Sequence, residues 1–307
     1  MTRPMVRPVA SSQIGQSPRA RGVSAGVTTG TDVPPSVSPS PRISTPRFHQ
    51  ITSSLSDQDL AVALFLADVR LATGHQLARR FWSAQQPTDG RSRAARRALA
   101  RLERWRVIER QLHRRGGVRG GSSSIVYGLG RSGHRLLVTQ GFEPRRLHQL
   151  GERYIDHAVA VTEIVVQLAE ADRRGELELV GVLETEPQCW RGFVSGYGTP
   201  VTLKPDLGVT VGAGRVHTDS WWLEIDRATE SAAAIARKAK RYLAYMHSGT
   251  EQRRRHVFPR VAFAVPNQRR ADQIIAALAR LTDVPERLFS VWLFEETVAR
   301  LAAEAQA

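Results

Sequence analysis

The 307-residue chain has one cysteine, three lysines and no long apolar run. Cys189 alone excludes an intramolecular disulfide framework and any cysteine-rich zinc module, and it fits a reducing cytoplasm, the expected location. No apolar run approaches the ~18–20 residues a membrane span needs, so no membrane partner is expected. The lysines are Lys204, Lys238 and Lys240, so the 44 Lys and Arg residues are almost all arginine. Against 29 acids they leave a net charge of +15, which suggests a polyanionic partner. With 41% hydrophobic residues the chain can build real cores, which excludes a wholly disordered protein.

The charge is unevenly placed. Residues 1–54 carry +5, residues 55–150 carry +11 and residues 151–307 carry −1. The first segment holds eight of the 16 prolines and one aromatic, Phe48, a composition that reads as a disordered basic tail. A basic module over 55–140, a linker over 141–151 and a balanced module over 152–307 follow.

In the basic module Ser56 suits an N-cap, and Leu60, Leu64 and Val69 share one side of a helix. A short second helix starts near Gln76. A third, opened by Ser92, buries Ala95, Leu99 and Leu102 and displays arginines. Two β-type stretches, Val107–Leu112 and Ser124–Leu129, flank a glycine- and arginine-rich tip. Three helices and a hairpin resemble a winged helix-turn-helix, with "RLERWRVIER" and "YGLGRSGHRLL" similar to the wing region of bacterial regulators. A helix of this kind lies in the major groove, and a Gly-rich tip approaches the next groove closely. The candidate DNA-binding residues are Arg91, Arg93, Arg96, Arg97, Arg101, Arg114, Arg115 and Arg119. The competing reading, a solvated basic helix or a protein-docking module, lacks a steep salt dependence.

The balanced module reads as a long helix from Tyr154, strands over Leu177–Leu183, Val201–Val211 and Ser220–Asp226, a helix from about Ser231 to Met246, then strand, helix, strand, helix. The fold class is α+β or α/β, with a mixed central sheet. Pro205-Asp206, followed by Glu224-x-Asp226 ending a hydrophobic strand, resembles the PD-(D/E)xK restriction-endonuclease-like nucleases. That resemblance implies a metal site of Asp206, Glu224 and Asp226 holding Mg²⁺ (or Mn²⁺), with Glu163 of the preceding helix joining them. Hard oxygen ligands suit a cation that keeps several waters and activates one of them. Asp226 stands where those nucleases carry lysine. Lys238 and Tyr242, four residues apart, share a helical face, similar to the Q-x-x-x-Y helix of RecB-like members. Lys238, Lys240 and Tyr242 are therefore catalytic candidates.

Together, the winged helix, "WWLEIDRATES" and "ARKAKRYLAYM" resemble the replication-relaxation family over about residues 55–300. The resemblance implies plasmid replication and DNA relaxation on a mobile element, and a relaxase-like, metal-dependent nick at an origin as in conjugation. The partners it implies are double-stranded DNA and a single-stranded segment at the origin, with a homodimer as a further arrangement. A non-catalytic replication or transcription regulator on the same scaffold is the alternative.

Other features read more plainly. His157 near a helix start reads as structural, although it could face the same cleft as Glu163. No histidine pair has zinc spacing. The Trp190–Tyr197 loop suits either base stacking or an ordinary hairpin. Trp221 and Trp222 fall on opposite faces of one strand.

Overall fold

A computed structural model describes residues 43–82, 88–111, 125–144, 151–196, 198–213 and 217–306. Ile43–Ala307 forms one compact unit. The fold is mixed α+β, with ten α-helices and a mixed five-stranded sheet among the described residues.

The chain enters through α1 (Thr45–Ser53), inside the stretch expected to be tail. Proline at its start is preorganised for a helix, and the three-residue spacing of Phe48 and Ile51 buries both on one face. Arg135 lies 4.1 Å over the Phe48 ring. Helix α2 (Asp57–Val69) and helix α3 (Gly74–Phe81) each start in a capping box, Ser56 with Asp59 and Thr73 with Gln76. Strand β1 (Leu71–Thr73) lies between them. Next come α4 (Thr88–Arg104), β2 (Ile108–Gln111), β3 (Val126–Leu129) and α5 (Arg131–Thr139). The strands form an antiparallel sheet in the order β1-β3-β2. Val62, Leu66, Leu77, Leu99, Leu102 and Ile108 close this core. The glycine-rich tip, with Arg114, Arg115 and Arg119, lies outside the described residues.

The long helix α6 (Glu152–Arg174) leads to β4 (Glu184–Thr185), β5 (Arg191–Val194), β6 (Pro200–Leu203), β7 (Leu207–Ala213) and β8 (His217–Ile225). Then follow α7 (Ala232–His247), α8 (Thr250–Arg255), β9 (Arg260–Val265), α9 (Gln268–Leu278), β10 (Phe289–Leu293) and α10 (Thr297–Gln306). The main sheet runs β10-β9-β8-β7-β4, parallel across β8, β9 and β10 and antiparallel at β7 and β4.

Strand alternation divides β8 between two cores. Trp221, Leu223 and Ile225 pack with α6 and α10 residues such as Ile164 and Leu301. Trp222 points the other way, into a core with Ile235, Tyr242 and Tyr245 of α7 and Ile274 of α9. Two expected strands differ in detail. Leu177–Leu183 contributes only an isolated bridge, Leu179 to Val211, and the strand itself starts at Glu184. Val201–Val211 is cut in two at Lys204-Pro205-Asp206, because proline has no N–H to donate to a ladder. Its first half pairs with β5, so Arg191–Val194 of the aromatic loop is a hairpin strand. No helix among the described residues is long and apolar enough to cross a membrane.

The start of α5 is tightly seated. Gly130 N–H donates to the Val107 carbonyl, and a Cβ on Gly133 would lie 2.3 Å from that same oxygen. Gly133→Ala should therefore cost about 1–3 kcal/mol, as overpacking against a fixed backbone does. Gly192→Ala, which meets nothing within 4 Å, should change stability far less. Urea denaturation of the two variants tests this; equal losses would refute the tight seat.

Candidate active site

The break at Pro205 carries Asp206 to the C-terminal end of β8. Its N–H donates to the Leu223 carbonyl at 3.2 Å, and its Oδ2 accepts from the Ile225 N–H at 2.7 Å. The remaining oxygen, Oδ1, lies 3.1 Å from His157 Nε2 on α6. Asp206 is thus pinned by β8 on one side and α6 on the other.

Glu224 shares the Trp222 face of β8 and points towards α7, only 2% exposed. A buried carboxylate needs partners. Lys238 Nζ donates to Oε2 at 2.9 Å and the Tyr242 hydroxyl to Oε1 at 2.5 Å. Glu230 also faces Lys238, at 3.5 Å. Burial pushes the Glu224 carboxyl above the usual carboxylate range against the pull of Lys238, and the Asp206 charge adds to the rise. Burial alone would pull the Lys238 ammonium down, but Glu224 and Asp206 outweigh it and hold it above the ordinary lysine range. Burial and the Glu224 charge both raise Tyr242 well above an ordinary tyrosine, so its hydroxyl stays a proton donor.

Asp206, Glu224, Lys238 and His157 line one cavity of about 350 Å³, with Arg153 and Arg227 at its exposed rim. Glu224 on β8 and Asp206 just before β7 supply hard oxygens, and each oxygen keeps a lone pair beyond its hydrogen bond. Asp206 and Glu224 are the residues that could offer oxygens to a hard divalent cation such as Mg²⁺ or Mn²⁺. They are not a closed cage: no group of three or more His, Cys, Asp or Glu residues suited to a metal occurs among the described residues.

The other expected members of the site are elsewhere engaged. Asp226 lines the cavity, but Arg270 of α9 grips both its oxygens, at 2.6 and 2.9 Å, and the Ala228 N–H adds a third bond at 3.0 Å. That bidentate pair occupies the acid expected to ligate metal. Glu163 does not reach the cavity: Arg79 and Gln76 of α3 hold it at 2.5 and 3.0 Å. Six residues turn a helix by roughly 240°, so Glu163 and His157 face different ways. His157, read as structural, is the α6 residue that meets Asp206. Lys240, two residues from Lys238, is turned to the opposite side and exposed. Arg270 carries no local sequence signal, since only the packing of α9 brings it to Asp226.

Among the arginines of α4, Arg93, Arg96 and Arg97 are exposed. Arg101 is instead part of the fold: it pairs with buried Asp59 at 2.7 Å and lies 5.4 Å over the Trp105 ring. Arg91 lies in α4, but its side chain is outside the described part.

A family model described as replication-relaxation matches residues 64–261. No curated protein and no solved structure matches the chain.

The His157–Asp206 contact has a direct consequence. Burial alone would lower the imidazolium, yet the hydrogen bond and charge of Asp206, with Glu186 further off, raise its pKa above the ordinary 6.5. The stability this pair adds is fully present below pH 6.5 and is lost as pH rises through the folded-state value. NMR titration should find His157 deprotonating at higher pH in the native protein than in Asp206→Asn. The same pKa in both would refute the contact.

Proposed function

The chain belongs to the replication-relaxation family, and we propose that it is a metal-dependent, relaxase-like enzyme that nicks one DNA strand at an origin during plasmid replication or transfer. The observation that carries this reading is the pairing of Asp206 and Glu224 in one cavity with the Lys238 ammonium 2.9 Å from Glu224. The order of the main sheet, with Glu224 on β8 and Asp206 directly before its antiparallel neighbour β7, supports a restriction-endonuclease-like domain.

Asp206 and Glu224 would hold the divalent cation, which when bound supplies Lewis acidity and a water of lowered pKa. Tyr242 fixes the Glu224 carboxylate by donating to Oε1, and His157 fixes Asp206. Lys238, partly open to the cavity, is the cation that meets the extra charge on the scissile phosphate. Asp226 takes no part as a ligand while Arg270 holds both its oxygens.

DNA is held by the basic segment before α6. Its helix–strand–helix–helix–strand–strand order and β1-β3-β2 sheet support a winged helix-turn-helix with α4 as the helix in the major groove. Arg93, Arg96 and Arg97 supply phosphate contacts there. A second reading, a non-catalytic DNA-binding regulator, is favoured by the engagement of Glu224 with Lys238 and of Asp226 with Arg270.

Conversion of supercoiled plasmid bearing the cognate origin to open circles separates the two readings. The enzyme reading expects nicking that requires Mg²⁺ or Mn²⁺ and disappears in Asp206→Ala and Glu224→Ala. Lys238→Met should lower the rate by about 10²–10³-fold, the usual loss on deleting one charge stabiliser. Nicking retained in either carboxylate variant would sink the assignment, and a wild type that binds without nicking would favour the regulator. Separately, replacing Arg93, Arg96 and Arg97 with alanine should flatten the plot of log affinity against log salt by about 2.7, at about 0.9 per lost phosphate contact. An unchanged slope would remove α4 from the DNA.

A further inference from the structure

The half of the chain from residue 151 is electrically balanced, yet its cations are not evenly used. Arg191, Arg260 and Arg270 each close on a carboxylate. Helix α7 is different. Its sequence, AAAIARKAKRYLAYMH, contains no acid. Lys238 turns inward to Glu224, and Ile235, Ala239, Tyr242 and Leu243 are buried in the core. Arg237, Lys240 and Arg241 are exposed, and none forms an ion pair with a described residue.

Helical geometry gathers these three cations. Relative to Lys238 at 100° per residue, Arg241 lies roughly 60° to one side, Arg237 roughly 100° and Lys240 roughly 160° to the same side. They form a continuous basic strip that starts beside the Lys238 flank and runs away from the buried face. The exposed residues among them, Ala233 and Ala244, are small enough for a nucleic-acid backbone to lie close. Arg227, in the β8–α7 connection, adds a further exposed cation at the cavity rim. Helix-dipole stabilisation does not account for the strip, because that effect is confined to the last turn and Arg237 sits in the second.

We propose that the outer face of α7 is a second DNA-contact surface, separate from α4, which holds the phosphate backbone beside the cavity. This rests on the DNA-acting reading of the site, though not on catalysis. Phosphates fit because the strip offers charge without any apolar anchor. An anionic membrane fits poorly, since a membrane-surface helix needs a free apolar face and that of α7 is already buried. The surface also gives Lys240 a role that its position away from Glu224 denies it in the cavity.

The test uses the full chain and a duplex about three helical turns long, with fluorescence anisotropy followed across a salt series. Replacing Arg237, Lys240 and Arg241 with alanine should reduce the salt slope by about 2.7, and each single substitution by about 0.9. Arg237→Lys with Arg241→Lys should keep the slope, because phosphate contact requires only charge. A slope unchanged by the alanine set, while the Arg93, Arg96 and Arg97 set lowers it, would overturn this inference and leave the α4 reading intact. A lowered slope in a wild-type background that never nicks would leave the surface standing and remove catalysis. Loss of binding to phosphatidylserine vesicles with DNA affinity intact would assign the strip to lipid and overturn the proposal.

Discussion

The buried carboxylate of Glu224 is the constraint from which the candidate site follows. It sits on β8, paired on both sides by β7 and β9, and is almost wholly withdrawn from solvent. A charge there is tolerable only with partners in good geometry, and removing one partner of such a pair is more damaging than never having had it. Lys238 and Tyr242 meet that need from consecutive turns of α7. Two contacts from one helix also set its rotation about its own axis. Once Lys238 and Tyr242 face the sheet, Arg237, Lys240 and Arg241 must face outward. The inward chemistry and the outward charge of α7 are two results of one restraint.

The long helix α6 links the basic segment to the main sheet. Near its start His157 meets Asp206. Five residues on, the Thr162 hydroxyl donates to the carbonyl of Leu71 in β1 of the three-stranded sheet. Further along, Glu163 and Glu170 receive Arg79 of α3, the helix that precedes the arginine-bearing α4. A charged fork bridging two carboxylates holds a helix pair in register better than apolar contact alone, because it fixes direction as well as distance. Glu163 is thus a bracket between the two halves of the chain.

Much of this was legible in the residues. The +11 over residues 55–150, the cap at Ser56, and the alternation around Trp221 and Trp222 all follow from local rules of charge and period. The four-residue spacing of Lys238 and Tyr242 put them on one face, and both reach Glu224. The two lysines of α7 stood out through scarcity alone, but a separation of two residues on a helix already divides them between opposite faces. The same arithmetic applied to His157 and Glu163 separates those two. Asp226 is different, since no pattern near it announces Arg270, 44 positions away.

What the sequence by itself determined is therefore what depends on near neighbours. This includes the segregation of charge, most of the helices and strands, and the inward pairing of residues four apart on α7. Tertiary structure alone decided which acid stays available. Asp206 is left facing His157, Glu224 is buried against Lys238 and Tyr242, and Asp226 is taken by Arg270. The reason is that an ionic partner is chosen by distance in space and by desolvation. Neither is a function of sequence separation.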